Sequence, residues 1–564
     1  MIRPSFLIHS ILFSFTVSCT TVSEKASSGV PVNLDLVRGD IALCGASDGQ
    51  FGTVGFKLQC SEKITPTFNL ATALLHSFEY AEAEKVFAKV VDEDPSCVMG
   101  YWGLAMSNFH PLWAPPTKEE LAKGAAIVSH ARTLADGSSR AHDYLETVAT
   151  LYDNHETIDH TSRLIRFENA SAVLYQKYPS DQEAAIFYAL ALRAAADPAD
   201  KEFAKQRKAG ELLKELFRTK PDHPGVAHYL IHIYDYPELA ELALPAARKY
   251  AGIASASAHA LHMPSHIFTR LGLWDESITS NSNSIAAAKC YAANSGMTGH
   301  WDEEIHGVDY LAYAYLQQGK DKLTKDQVEY LSAIDSVFPM TSKVGYTLAA
   351  VPARYALERK NWREASSLEW HPEIDWKKFP WERSNILFAR LLGAVHLGKL
   401  DQANSELQML KQNHEELLAK GKKYEANQIL IQLHASEGWI SHAKGDNDTA
   451  IRLVTLAADM EDATEKHPVT PGEIVPAREL LGDLFMELKD YKQALIAYEE
   501  DLRRHQGRYN ALQGASRAAM LSGDKEKAQR YSKAFATLAK SSERMGQGII
   551  EPENNRIIEQ RIIE

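Results

Sequence analysis

Apolar and small residues recur at helical spacing along most of the chain, beginning near Ile64. Between Ile64 and Met106 this period is interrupted twice, by a turn at Phe78–Tyr80 and by Pro95. Because proline lacks a backbone donor and fixes its own φ, a helix ends at or before its position. The pattern therefore predicts three short helices in this segment, joined by tight connections, and an all-α protein.

The same pattern repeats towards the C-terminus. Ala494 and Ala528 are 34 residues apart and each follows a turn, and further copies of the turn and small residue end at Ala450, Ala403 and Ala365. Small residues at this point let two helices pack closely, and stacked helix pairs of this length bury a continuous core. The pattern resembles the tetratricopeptide-repeat (TPR) family. That resemblance implies a right-handed α-solenoid of helix-turn-helix repeats with loop insertions.

A narrower resemblance covers roughly residues 65–540. The segments HYLIH, HMPSHIFTRLGLW, DYLAYAYLQQG and HPVTPGEIVPARELLGDLF are similar to those of a widespread family of bacterial exported or lipoprotein TPR-containing proteins, and the HMPSHI segment is intact at residues 262–267. The family is mostly described only as repeat-containing. The resemblance therefore implies a fold and a cell-envelope location, and it implies no reaction.

Changes in composition divide the chain into four parts. They are a lipoprotein-type signal peptide (1–18), a tether with an irregular N-terminal cap (19–62), the solenoid (63–540) and a C-terminal tail (541–564). Loop insertions interrupt the solenoid after Met106 and at residues 462–476. The second insertion could reach back over the solenoid and bring His467 or Glu473 to a site; the alternative is a proline-stiffened connector capped by Thr470.

The N-terminus has the features of a targeting segment. Arg3 precedes an apolar stretch, Phe6–Val17, that is too short to span a bilayer. The following residues up to Cys19 resemble the lipobox of bacterial lipoproteins, which implies lipidation of Cys19; an ordinary secretory signal is the alternative. Because Thr20 is not aspartate, the resemblance implies an outer-membrane lipoprotein in a Gram-negative host, in contact with the membrane through its lipid only.

Charge and cysteine content narrow the choice of partners. The net charge of −13 argues against a nucleic-acid binder, which carries a basic face, and favours cationic partners or metals. An exported chain enters an oxidising compartment, so a Cys44–Cys60 disulfide is one interpretation and two free thiols the other. Cys97 and Cys290 lie in helical patterns and are predicted to be buried thiols.

Histidines are concentrated in one part of the chain. Residues 223–313 hold eight of the 22, and two pairs there share an i, i+4 spacing, His228/His232 and His262/His266. The second pair lies 34 residues after the first, so the spacing follows the repeat. The pairs therefore occupy equivalent positions in successive repeats.

Counting back from the predicted turns at Glu238, Gly272 and Gly319 places these residues on one helix face. Polar residues recur thirteen (His259, His306), ten (His228, His262, Asp309) and six (His232, His266, Tyr313) residues before a turn. Arg354 likewise lies six residues before a turn. In TPR proteins, by resemblance, this face lines the concave groove. Pro264 either kinks this helix or opens a new one.

Three interpretations of this face stay open. Histidines at i and i+4 can turn towards one ion, so His228, His232, His262, His266, His306 and Asp309 are a candidate ligand set for zinc, copper or another first-row metal, with His259 beside them. Alternatively the same residues, with His259, Tyr313 and Arg354, line a metal-free groove for a peptide, a protein or a small ligand. A purely structural role is the third.

No sequence motif assigns a reaction. The HYLIH segment lacks the glutamate of an H-E-x-x-H zinc peptidase, and the sequence contains no G-x-S-x-G, phosphate-binding loop or dinucleotide fingerprint. No catalytic residue is therefore predicted. The favoured function is an exported, lipid-anchored scaffold that binds a ligand in its groove; the alternative is a metalloprotein, such as a hydrolase or an oxidase, on the same scaffold.

Overall fold

The computed structural model describes residues 34–42, 44, 48–112 and 115–544. The predicted signal peptide, the lipidation site Cys19 and residues 545–564 of the predicted tail lie outside these residues. Within them the chain is almost entirely helical, with two short parallel strands, β1 (His300–Trp301) and β2 (Val337–Phe338). In this part of the chain no helix combines the length and the hydropathy that crossing a membrane requires.

The helices before the histidine-rich segment are α1 (Thr65–His76), α2 (Tyr80–Glu93), α3 (Val98–Ser107), α4 (Lys118–Leu134), α5 (Arg140–Ala149), α6 (His160–Lys177), α7 (Gln182–Ala194) and α8 (Ala204–Thr219). Those within it are α9 (Pro224–Tyr234), α10 (Ala240–Ile253), α11 (Ala258–His262), α12 (Pro264–Arg270), α13 (Trp274–Asn294) and α14 (Asp302–Gln317). The later helices are α15 (Asp321–Ser332), α16 (Ser342–Glu358), α17 (Trp362–Ser366), α18 (Pro380–His396), α19 (Leu400–Ala419), α20 (Lys423–Ala443), α21 (Asn447–Ala463), α22 (Ala477–Glu487), α23 (Tyr491–Arg504), α24 (Tyr509–Ser522) and α25 (Lys525–Leu538). Short 3-10 helices cover Asp48–Phe51, Glu62–Ile64, Trp376–Lys378 and Ala539–Ser541.

Helices pack in the order of the chain, which confirms the predicted fold class. Each helix contacts the next, and alternate helices such as α14, α16, α18, α20, α22 and α24 also contact one another. First helices of successive repeats therefore lie side by side, and the chain is an all-α, TPR-like solenoid. Ala365, Ala403, Ala450 and Ala494 are fully buried, as the close packing of helix pairs requires.

Two turn glycines lie where the spacing predicted them. Gly272 and Gly319 have φ values of 65° and 64°, in the left-handed region that glycine adopts without steric cost. Pro264 is the first residue of α12, so it opens a helix and does not kink one. The break between α11 and α12 leaves His262 and His266 on adjoining short helices.

The predicted Cys44–Cys60 disulfide is wrong, and so is the prediction that Cys97 and Cys290 are free thiols. The structure pairs Cys44 with Cys290 and Cys60 with Cys97, with Cα–Cα distances of 5.8 and 5.3 Å. The α1–α2 hairpin returns the chain to its start, which brings Cys97 close to Cys60 in the segment before α1. The extended N-terminal segment runs on past α2 and reaches α13. The number of residues between two cysteines does not predict either path, so it could not predict the pairing.

Candidate metal centre

Six histidines from four helices meet in the interior of the solenoid. They come from α9 (His228, His232), α11 (His259, His262), α12 (His266) and α14 (His306). They form two groups of three, and in each group one ligand atom from every ring lies within 4.8 Å of the other two. Site 1 is defined as His228, His232 and His259, and site 2 as His262, His266 and His306.

In site 1 the rings converge through their Nε2 atoms. Nε2 of His228 lies 3.0 Å from Nε2 of His232 and 3.1 Å from Nε2 of His259. Nδ1 of His228 lies 2.6 Å from the backbone carbonyl oxygen of His76, which can only accept a hydrogen bond. The proton of His228 is therefore on Nδ1, and its Nε2 lone pair points at the other two rings.

In site 2 the rings also converge through their Nε2 atoms. The Nδ1 atoms of His262 and His266 each have an acceptor that fixes the orientation of the ring. Nε2 of His262 lies 3.1 Å from Nε2 of His266. Nδ1 of His262 donates to Oδ1 of Asn281 over 2.7 Å, and Nδ1 of His266 donates to the Asp235 carboxylate over 3.0 Å. The Asn281 amide is fixed in this orientation because its Nδ2 donates to the carbonyl of Ser277 over 2.8 Å. The ring centroid of His306 lies 4.3 Å from that of His262.

These contacts leave two lone pairs facing each other in site 2. A neutral imidazole carries one N–H, and in both His262 and His266 that proton is committed to an acceptor on the Nδ1 side. Two acceptor nitrogens at this distance repel unless a cation lies between them. Zn–N bonds of about 2.0–2.1 Å place two nitrogens on one tetrahedral ion roughly 3.3 Å apart, close to the separation observed.

Burial keeps the rings in the form that binds metals. It lowers the pKa of all six histidines below the ordinary value, to about 3 for His228. For His266 this effect outweighs the opposing influence of the Asp235 carboxylate. Neutral imidazoles with an oriented Nδ1–H and a free Nε2 are the usual first-row metal ligands, and a carboxylate behind the histidine is their usual support.

The short contacts within a third group, His76, Glu183 and His223, form without a metal. Glu183 accepts from Nε2 of His76 over 3.0 Å and from Nε2 of His223 over 2.9 Å. The hydroxyl of Tyr229 lies 2.9 Å from Nδ1 of His76 and can donate to it. Burial would raise the pKa of Glu183, but the two histidines outweigh it and hold that pKa low. Every short contact in this group pairs a donor with an acceptor, unlike those of site 2.

Aromatic rings cover both sites. The ring of Phe78, in the predicted turn after α1, has its centroid 4.4 Å from that of His228 and within 5.6 Å of that of His259. Its φ of 60° is unusual for a bulky residue, so the turn holds the ring against site 1 at a cost in backbone strain. On site 2 the Tyr310 ring lies 4.7 Å from that of His262. Each site is therefore packed against an aromatic ring.

Asp309 belongs to neither site, so its assignment as a metal ligand is wrong. Its Oδ1 lies 2.5 Å from Nη1 of Arg354, and both side chains are buried. Burial by itself would raise the pKa of Asp309 and lower that of Arg354, and the ion pair is the compensation each group receives. His259, which was predicted to lie beside the ligand set, completes site 1 from the next repeat.

Arg354 contacts the chain's own insertion and Tyr313 contacts Arg508, so neither buried side chain faces an open groove. Nη2 of Arg354 donates to the carbonyl of Gly472 over 2.6 Å, and Tyr313 accepts from Nη1 of Arg508 over 2.9 Å. The 462–476 loop thus does reach back over the solenoid. Binding of a peptide, a protein or a small ligand elsewhere on the solenoid stays a prediction.

The loop brings a different residue to the histidines from those predicted. Nζ of Lys466 lies 3.4 Å from the Asp235 carboxylate that orients His266. His467 instead packs on Trp381, with centroids 5.2 Å apart, and Glu473 pairs with His505. Asp235 was recognisable in principle, because it follows His232 by three residues and so continues the i, i+4 face by one turn. No helical spacing in the sequence indicated that Lys466 would lie near the histidines.

Comparisons with known proteins add little to this geometry. No known protein-family model matches the chain, and no curated protein sequence matches it. Among solved structures it is similar to the human IFIT1 dimer with PPP-AAAA, at 13% identity over 83% of this chain and 94% of that chain, with a TM-score of 0.35. It is also similar to the P58(IPK) TPR domain (13% identity, 82% and 99% covered, TM-score 0.19) and to the APC/C Cut9–Hcn1 hetero-tetramer (14%, 85% and 94%, TM-score 0.25). At these TM-scores the similarities carry no argument about what this chain binds.

Proposed function

We propose that this chain is a metalloprotein that holds two first-row transition-metal ions, one in site 1 and one in site 2. The observation that carries the proposal is the pair of facing Nε2 atoms of His262 and His266, whose Nδ1 protons are both committed elsewhere. Imidazole ligands suit zinc and copper. Three protein ligands leave a coordination position free, which is the arrangement of catalytic sites and not of closed structural ones.

The measurement is elemental analysis of protein purified without chelator, or loaded with zinc or copper after purification. We expect two ions per chain. A His262→Ala, His266→Ala variant removes two of the three ligands of site 2 and is expected to hold one ion. A His228→Ala, His232→Ala variant is expected to lose the other.

The matched control is His223→Gln, which changes a buried histidine outside both sites. It is expected to keep both ions, because the third group needs no metal. Circular dichroism confirms that each variant is folded. A folded wild-type protein that takes up neither zinc nor copper in stoichiometric amount would refute the proposal.

We also propose that the protein is exported and anchored through a lipid on Cys19. The two disulfides support export, because such bonds persist in oxidising compartments. Replacing Cys19 with alanine is expected to move the protein from the membrane fraction to the soluble fraction, measured by cell fractionation and by incorporation of a labelled acyl chain. Cys97→Ser is the matched control and should stay membrane-bound. Absence of acyl label on the wild-type protein would contradict the anchor.

A further inference from the structure

We propose that sites 1 and 2 together form one dinuclear copper centre that binds dioxygen between its two ions. This inference rests on the proposed function, since it needs both sites to hold a metal. It adds the identity of the metal, the coupling of the two sites and the class of ligand.

The two sites share the elements that build them. His259 of site 1 and His262 of site 2 lie one turn apart on α11, and residues three apart on a helix share a face. Asp235, at the end of the helix that supplies His228 and His232, orients His266 of site 2. One short helix and one carboxylate thus tie the two ligand sets into a single unit.

The ligand sets favour copper in its monovalent state. All six ligands are neutral imidazoles, and no carboxylate completes either site. The nearest carboxylate, Asp235, already pairs with Arg270 over 2.9 Å and with Lys466 over 3.4 Å, so it cannot offset added charge. Two monovalent ions carry half the charge of two dications, so they are less costly to bury in a low-dielectric interior. Copper is the first-row metal that imidazole binds most strongly and that has a stable monovalent state.

The size of the ligand that can enter and the charge of the two-copper centre both favour dioxygen. The rings of Phe78 and Tyr310 pack against the histidines of sites 1 and 2, so the ligand that enters between the sites must be small. When dioxygen binds between two copper(I) ions, each ion gives up one electron and dioxygen gains two, becoming a bridging peroxide between two copper(II) ions. The total charge of the centre is unchanged and no proton is needed. Release of dioxygen reverses the transfer, so no other reductant is consumed.

The test loads the full-length chain with copper(I) under nitrogen, counts bound copper and then admits air. We expect two copper ions per chain and uptake of one dioxygen for each pair, read with an oxygen electrode. The electron paramagnetic resonance intensity is expected to lie far below the copper content, because the two copper(II) spins couple through the bridge.

A His306→Ala variant separates coupling from metal binding. With site 2 weakened it is expected to hold one copper(II) in air, with a resonance intensity equal to its copper content and no rapid uptake of dioxygen. His223→Gln should behave as the wild type. Two bound copper ions with full resonance intensity and no dioxygen uptake would overturn the dinuclear centre and leave the proposed function standing. Failure to bind copper or zinc at all would overturn both.

Discussion

Replacing Arg508 with alanine is expected to lower the free energy of unfolding by about 3–5 kcal/mol, the usual cost of removing one partner from a buried charge pair. Its guanidinium has no exposed surface and lies 2.7 Å from Glu358 and 2.9 Å from Glu479. Burial raises the pKa of Glu479 to about 7 even with Arg508 present. Measured at pH 8, where this carboxylate is ionised, urea unfolding should show the full effect.

The matched control is Arg530→Ala. Arg530 also pairs with a glutamate, Glu499, over 3.2 Å, but its side chain is 61% exposed. Exposed pairs contribute about 0–1 kcal/mol, so this variant should unfold close to the wild type. Equal unfolding midpoints for the two variants would show that Arg508 does not carry the stabilisation assigned to it.

Arg508 also tests the link between the C-terminal helices and the histidines. It donates to Tyr313 on α14, the helix that supplies His306 to site 2, and α24 packs against α14 directly. Loosening this contact should increase amide exchange in α14 and in the 462–476 loop before the rest of the solenoid is affected. The stability of the C-terminal repeats and the geometry of site 2 are therefore coupled through one guanidinium.

The repeat pattern predicted the fold and the face on which the histidines lie, and it missed how they combine. Residues at equal distances before a turn are predicted to occupy equivalent positions, which groups His228 with His262. In the structure each site takes two rings from one repeat and the third from the next. His259 completes the pair of α9, and His306 completes the pair of α11 and α12. Each site combines rings from two repeats because the first helices of successive repeats lie side by side. The distances of the histidines from the turns do not by themselves predict this combination.

The same rule explains why the third repeat supplies His306 to site 2 but begins no third group of histidines. Asp309 and Tyr313 stand where the earlier repeats have histidines, and Arg354 from the next repeat pairs with the aspartate. A charge pair thus replaces a ligand set at the equivalent place. The disulfides and Lys466 could not be foreseen, because they depend on the path of the N-terminal segment and of the 462–476 loop across the solenoid. Neither path has a periodic signal.

The protein is expected to lose roughly 2–3 kcal/mol of stability between pH 7 and pH 9 through His505 alone. Its Nδ1 lies 2.7 Å from Asp501 and its Nε2 lies 3.1 Å from Glu473 in the 462–476 loop. Burial would lower the pKa of His505, but the two carboxylates outweigh it and raise that pKa to about 10. The folded state therefore keeps a proton that the unfolded chain releases near 6.5. The stabilisation is fully present below pH 6.5 and is lost as the pH rises through 10.

A His505→Gln variant isolates this contribution, because glutamine can donate hydrogen bonds but cannot titrate. Lys466, with a pKa lowered to about 8 by burial, titrates in the same interval and acts in the opposite direction, so the comparison is between the pH slopes of the two proteins. The wild type should destabilise more steeply than the variant from pH 7 to 9 in urea unfolding. Parallel slopes would mean that His505 is not charged between its two carboxylates. With the expected result, His505 in the folded protein keeps its proton and its contact with Glu473 up to about pH 10, whereas Lys466 at the other end of the loop loses its charge near pH 8.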